Sequence, residues 1–216
     1  MTRQFICGVA IVVVITGSPL YGGTIIINEI MQNPAAVSDT DGEWFELYNT
    51  TAGAIDIDGW TISDDGSNSH VINNGELLEV PATGYLVLGN NGDMAMNGGV
   101  AVDYVYSSFS LGNADDEIVL ADVGAVEIDR VNYDGGPNFP NPTGASMALL
   151  LSALAGDPMT DNDVGANWAV STVPFGTDFG TPGTANIVPE PSTFGVLALG
   201  FIMLALNRRR VYLFKR

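Results

Sequence analysis

The sequence predicts an all-β fold, an antiparallel sandwich of short strands. Residues 24–187 contain no long run with helical periodicity. They are divided into short stretches rich in β-branched and aromatic residues, with Gly, Asn and Asp between them. Turn signals recur about every ten to fifteen residues, the rhythm of a sandwich rather than of alternating strands and helices. A chain of 216 residues at 46% hydrophobic content can bury one ordinary core and still carry address segments at its ends.

Taken in order, Thr24–Ile30 is an isoleucine-rich buried strand and Glu43–Asn49 a second one carrying Trp44. Ile55-Asp56-Ile57 and Trp60–Ser63 read as two strands joined by a bend at Gly59. Tyr85–Leu88 follows the turn Pro81-Ala82-Thr83-Gly84, and Gly59 and Gly84 suit turns that need positive φ. Val100–Tyr106, Glu117–Ala121 and Val126–Tyr133 complete the clear strands, with Asp115-Asp116-Glu117 read as a solvated turn. Gly144–Leu154 suits a strand or a short helix, and Pro137–Pro142 a loop. Thr181–Asn186 reads as the exit from the domain into a linker. Trp44 and Trp60 are expected to fill the gap between the sheets, and Asn28 and Asn49 to satisfy backbone groups at strand ends.

The two ends carry addresses. Residues 1–23 read as a signal peptide, with Arg3 before an apolar stretch from Phe5 to Thr16 and the breakers Ser18, Pro19, Gly22 and Gly23 after it. The only cysteine, Cys7, lies in that stretch, so the exported domain has neither disulfide nor thiolate chemistry. At the other end Val188-Pro189-Glu190-Pro191-Ser192-Thr193 precedes the apolar run Phe194–Leu206, a short transmembrane helix, and then Arg208, Arg209 and Arg210. The arginines are expected to stay cytoplasmic, which places the preceding domain outside.

This C-terminal arrangement closely resembles the PEP-CTERM sorting signal of Gram-negative bacteria, carried by Val188, Pro189, Glu190, Pro191 and the Arg208–Arg210 cluster, although Val211–Arg216 extends past the usual end. The resemblance implies recognition by an exosortase, with delivery to the envelope, outer surface or extracellular matrix. Ile27-Asn28-Glu29-Ile30, Gly42–Asn49, Ile57–Asp64, Pro81–Leu88, Leu111–Leu120, Asp161–Trp168 and Thr181–Asn186 form a second ordered set of blocks. They resemble a bacterial lamin-tail domain, over nearly all of 24–186, and imply an immunoglobulin-like sandwich.

Charge narrows the functions. Residues 24–187 hold 24 acidic residues against the single cation Arg130, a net charge of −23. Such a field repels phosphate backbones, so nucleic acid is not a partner. Divalent cations or basic partners would be attracted. Two oxygen-rich loops are calcium candidates: Asp39, Asp41 and Glu43 around Gly42, and Asp157, Asp161 and Asp163 before Gly165. Neither has EF-hand spacing. His70, the only histidine, would have to serve any Ser–His–Asp triad, and it reads instead as an exposed or cross-strand residue. A carboxylate-pair hydrolase needs two acids at fixed separation in a cleft, and nothing in the sequence selects a pair.

The expectation is therefore an exported, non-enzymatic binding or structural module without a required cofactor. Its expected partners are the export machinery and exosortase, the membrane through the C-terminal helix before processing, and exopolysaccharide or a matrix protein. Two rivals stand beside it, a calcium-dependent carbohydrate-binding module and a carboxylate-pair hydrolase.

Overall fold

The isoleucine run Ile25–Met31 forms β1 at the centre of the larger sheet. The structure, a computed structural model, describes residues 24–187; the expected signal peptide and sorting segment lie outside the described residues. After β1 come a one-turn helix α1 (Asp39–Gly42), β2 (Trp44–Asn49), β3 (Ile55–Asp56), β4 (Thr61–Ser63), β5 (Ser69–Val71), β6 (Glu79–Val80) and β7 (Tyr85–Gly89). Next follow β8 (Tyr104–Val105), β9 (Asp115–Ala121), β10 (Glu127–Asp134), β11 (Met147–Leu149), a second short helix α2 (Pro158–Asp161), β12 (Trp168–Val170), β13 (Pro174–Phe175) and β14 (Asp178–Phe179). A six-stranded sheet, in the order β12-β11-β1-β2-β7-β8, faces a four-stranded sheet, β10-β9-β4-β5. Two small ribbons, β3-β6 and β13-β14, complete the strands. Among the described residues no helix is long and apolar enough to cross a membrane.

One bulge sets which side chains enter the core. Pairing of β1 with β2 shifts register between Ile27 and Glu29. A strict period of two would put Glu29 on the same face as Ile25 and Ile27. The extra residue, Asn28, moves Ile30 to that face instead and sends Glu29 to the other. Ile27 thus sits opposite Leu47 and Ile30 opposite Phe45, while Glu29 faces Glu46 and Met31 faces Trp44. The inner residues pack with Ile62, Ile118, Leu120 and Val131 of the second sheet in one continuous core. Asp129 of β10 reaches across from that sheet, accepting the Ile27 N–H at 2.6 Å and the Asn162 amide at 2.8 Å.

Several expectations are corrected. Trp44 is buried, but not between the sheets. It lies on the outer face of the larger sheet, with Met31, Val87 and Val100, edge-on to Phe175 at 6.1 Å. The β1 bulge and the short cross-over to β13 create this second cluster. Trp60 is only partly buried against the main core, whereas Trp168 is buried within it. Thr83, not Gly84, takes the positive φ of +50° in its turn; Gly84 instead lets the chain pass Pro81, whose Cβ would lie 2.8 Å from an added methyl. Gly59 does have φ +82°. Val100–Tyr106 contributes only the two residues of β8, which run parallel to β7. Asp115-Asp116-Glu117 begins β9 rather than forming a turn, and Gly144–Leu154 divides into β11 and a 3-10 turn at Ala153–Ala155. Asn49 behaves as expected, donating to the Gly53 and Val80 carbonyls.

Trp44→Ala is expected to cost about 3–5 kcal/mol in denaturant unfolding, because its pocket on the outer face is sealed by Phe175 and cannot collapse freely. A loss below about 1 kcal/mol would show that this cluster adds little.

Candidate functional site: an acidic pocket and a buried carboxylate pair

A cavity of about 440 Å³ opens beside α1, lined by Asp39, Thr40, Glu43, Asn90 and the segment Tyr106–Leu111. That volume falls in the range of small-molecule sites. The local sequence builds its near wall. Gly42 has no Cβ because Val37 and Pro34 press against it, with Val37 Cγ2 only 2.5 Å from where one would stand. Asn90 donates to the Asp39 carbonyl at 2.7 Å and ties α1 to the end of β7. Glu43 follows the helix and turns inward, where its Oε2 accepts the Leu111 N–H at 3.1 Å. On the far wall Tyr106 and Phe109 pack ring to ring at 5.5 Å, and Ser108 holds φ +58°, an uncommon conformation for a residue with a side chain.

Glu43 is 4% exposed. Burial pushes its carboxyl up to about 7, the Asp39 and Asp116 carboxylates push the same way, and the Leu111 N–H opposes them. The only Lys or Arg among the described residues is Arg130. It is already held by Asp65 at 3.0 Å and Glu127 at 3.0 Å. Among the described residues the pocket's negative charge therefore has no counter-ion.

The calcium candidates are found in separate hydrogen-bonding arrangements. Asp39 accepts from the Asn113 amide at 2.8 Å. Asp41 accepts from Asn91 at 3.1 Å and from the Ser38 hydroxyl at 2.8 Å. Glu43 points into the pocket. At the other loop, Asp161 accepts the Asp157 N–H at 3.1 Å across α2, and Asp163 is exposed one residue beyond the buried Asn162. Among the described residues no group of three or more His, Cys, Asp or Glu side chains is close enough together to hold a metal ion.

His70 is cross-strand, opposite Ile62 on β4. Its Nδ1 accepts the Ser107 N–H at 3.2 Å, and its Nε2 lies 2.8 Å from the Tyr104 hydroxyl, which also accepts the Asn73 N–H at 2.9 Å. Burial lowers its pKa, so the ring is neutral and braces β5 against the pocket wall. Although the Ser107 hydroxyl lies 3.5 Å from Nδ1, that nitrogen already receives a backbone N–H, and no carboxylate orients the ring. This is not a nucleophile and its base.

Two acids that sequence reading did not single out form the most unusual feature of the fold. Glu29 and Glu46 stand directly opposite each other on β1 and β2, both with no solvent exposure. The segment Thr181–Asn186, expected to leave the domain, instead covers them; that expectation is corrected. Glu29 accepts from the Ser146 hydroxyl and from the Thr181 N–H at 2.8 Å, and its Oε2 lies 2.8 Å from the Thr181 hydroxyl. Glu46 accepts from Asn28 at 2.7 Å and from the Gly183 N–H at 2.6 Å. Burial pushes Glu46 up to about 9, with the Glu29 charge adding to it, and burial likewise raises Glu29. Asn186 anchors the end of the segment, donating to the carbonyls of Asn28 at 3.0 Å and Leu149 at 2.9 Å. The pair has the composition of a hydrolase dyad but no access for a substrate. A sequence signal was available: each acid interrupts an otherwise apolar strand.

The fold and its two-sheet core define an all-β sandwich of immunoglobulin-like type. The sequence profile of the lamin tail domain family matches residues 20–135, and the chain belongs to that family. Strands β11 and β12 of the larger sheet, and the covering segment, lie beyond the matched span. Among curated proteins no match to the chain was found.

Proposed function

We propose that the chain is an exported, non-enzymatic binding or structural module, carried through the inner membrane and sorted by an exosortase to the envelope, outer surface or extracellular matrix of a Gram-negative-type bacterium. The observation that carries this reading is the order Val188-Pro189-Glu190-Pro191, Phe194–Leu206 and Arg208-Arg209-Arg210, placed directly after a lamin tail domain. Its junction supports it: Asn186 is clamped in the sandwich and Ile187 is exposed, so the motif begins where the hydrogen-bonded domain ends. Non-enzymatic action is supported by full burial of the carboxylate pair and by the bracing role of His70. Exopolysaccharide or a matrix protein is the proposed outer partner.

Glu190→Gln, or alanine at Pro189, Glu190 and Pro191 together, is expected to leave the full-length chain in the membrane fraction and abolish the trimmed, released product. Normal trimming of either variant overturns the sorting reading. The rival reading, calcium-dependent carbohydrate binding, is tested by melting the protein with calcium and with chelator. A ligand that binds only the native state raises Tm by mass action, and the hydrogen bonds already accepted by the Asp39, Asp41 and Asp161 carboxylates lead us to expect no calcium-dependent rise.

A further inference from the structure

We propose that Asp129 is kept as a neutral acid whose proton, on Oδ1, is donated to Asn162 Oδ1. This buried proton locks the connection between β11 and β12 to both sheets until alkali removes it.

Asp129 of β10 is 3% exposed, and Asn162, at the end of α2, has no exposure. The hydrogen bonds that Asp129 accepts converge on one oxygen. Its Oδ2 takes the Ile27 N–H at 2.6 Å and the Asn162 amide nitrogen at 2.8 Å. Its Oδ1 has no hydrogen-bond partner among the described residues, and neither has Asn162 Oδ1. The Asn162 amide cannot be turned round, because its nitrogen also donates to the Ile27 carbonyl at 3.3 Å, and a carbonyl only accepts. Ionised Asp129 would bury a charge and leave both oxygens without a donor, and each of these is costly. One proton answers both. A carboxylic acid can donate from Oδ1 to the amide oxygen while Oδ2 accepts from the amide nitrogen, which closes a ring of two hydrogen bonds.

The surroundings favour a proton over a charge. β1 offers Asp129 the Ile27 backbone, β9 places Leu120 opposite it, and the β11–β12 connection brings Asp163 directly after Asn162. The Arg130 guanidinium is held by Asp65 and Glu127. Burial raises the Asp129 carboxyl well above its ordinary range and the Asp163 charge adds to this, while the Ile27 N–H, the Asn162 amide and, least, the Arg130 N–H oppose it. A cation in place of the proton would want several more oxygen ligands. Among the described residues no group of three or more His, Cys, Asp or Glu side chains is close enough together to supply them.

Asn162 is the pin of its segment. Its backbone carbonyl accepts the Trp168 indole N–H at 2.7 Å, and its own N–H donates to the Pro158 carbonyl at 3.2 Å. The ring thus joins β10 of one sheet and β1 of the other to α2 and to Trp168, on the edge strand of the larger sheet. Removing the proton puts a charge and two unsatisfied acceptors at that pin, and the segment between β11 and β12 is the part free to move away.

The test reads the wild-type protein first. In the purified full chain with 13C-labelled aspartate, the Asp129 signal is assigned by its loss in Asp129→Asn. It is expected to keep the shift of a protonated carboxyl at pH 7, where an ordinary aspartate is ionised. Ionisation of Asp129 below pH 5, together with the exposed aspartates, overturns the proposal. Asp129→Asn copies the protonated acid, with its oxygen at Oδ2 and its N–H₂ donating to Asn162 Oδ1, so it should melt at the same or a higher Tm at pH 8; a lower Tm overturns the proposal. The lock is read by hydrogen exchange at the Trp168 indole N–H, corrected for the intrinsic rate. Raising the pH from 7 to 10 should reduce its protection at least about tenfold more in the wild type than in Asp129→Asn. Equal losses overturn the lock. A calcium- or magnesium-dependent rise in wild-type Tm that Asp129→Asn abolishes also overturns the proposal, by putting a cation where the proton is assigned.

Discussion

Asn186→Ala is expected to destabilise the domain by about 3 kcal/mol in urea unfolding, although it lies almost at the end of the folded region. The side chain is 2% exposed and occupied on both atoms. Its nitrogen donates to the carbonyls of Asn28 and Leu149, and its oxygen lies 3.1 Å from the Thr181 hydroxyl. Alanine would leave two buried carbonyls without donors, each costing about 1–3 kcal/mol. It would also loosen the segment that keeps water from Glu29 and Glu46. Ile187→Ala is the control, one residue on and exposed, and should change stability by less than about 0.5 kcal/mol. A loss below about 1 kcal/mol for Asn186→Ala would mean the segment is not clamped.

This segment shows where a sequence is legible and where it is not. The strands of the sandwich follow from β-branched runs and turn residues, so Ile25–Met31, Trp44–Asn49, Tyr85–Gly89 and Glu127–Asp134 lie close to where the pattern places them. Those are local signals. Thr181–Asn186 carries Thr, Pro, Gly and Asn, the composition of any surface turn. Contacts distant in the chain, to Glu29, Glu46 and Asn28 and to Leu149, make it a strap with both ends, Thr181 and Asn186, buried. The outer position of Glu29 depends on a one-residue bulge at Asn28, and period-two reasoning does not reveal a bulge. Trp44, expected between the sheets, lies outside them for a related reason. Its alternation with Phe45 shows that the two face opposite ways, but not which face has the second sheet. Of the pocket, Asp39 and Glu43 were legible as acids near a glycine. The opposite wall, Tyr106–Leu111, was not, since it lacks a regular element and meets Glu43 only through the fold.

The pH profile is the second large effect expected, and its sign follows from the raised carboxyls. In the unfolded chain Glu29 and Glu46 ionise near the ordinary value of 4.5; in the fold burial holds both above it, Glu46 at about 9. The native state therefore keeps protons that the unfolded state releases, and stability falls as pH rises from about 5 to 9. Glu43, raised to about 7, adds to the fall in the first part of that window, and buried Asp129 acts in the same direction. Asp134 opposes them only in acid: it is held down at about 2 by the N–H groups of Phe139, Asn138 and Gly136, so its contribution is lost below pH 4. Maximum stability is expected near pH 5, with a drop on the order of a few kcal/mol by pH 9. Two amide variants then test the pair. The Thr181 hydroxyl donates to Glu29 Oε2, and the Ser146 hydroxyl and Thr181 N–H donate to Oε1, while Glu46 has one N–H donor on each oxygen and is raised further by the Glu29 charge. Glu46→Gln removes the group held at about 9 and should flatten the fall in stability between pH 5 and pH 9. Glu29→Gln removes a second raised carboxyl together with the charge that raises Glu46, and should flatten it as well. An unchanged slope in both variants, or a stability that rises from pH 5 to pH 9, would overturn this account of the buried pair.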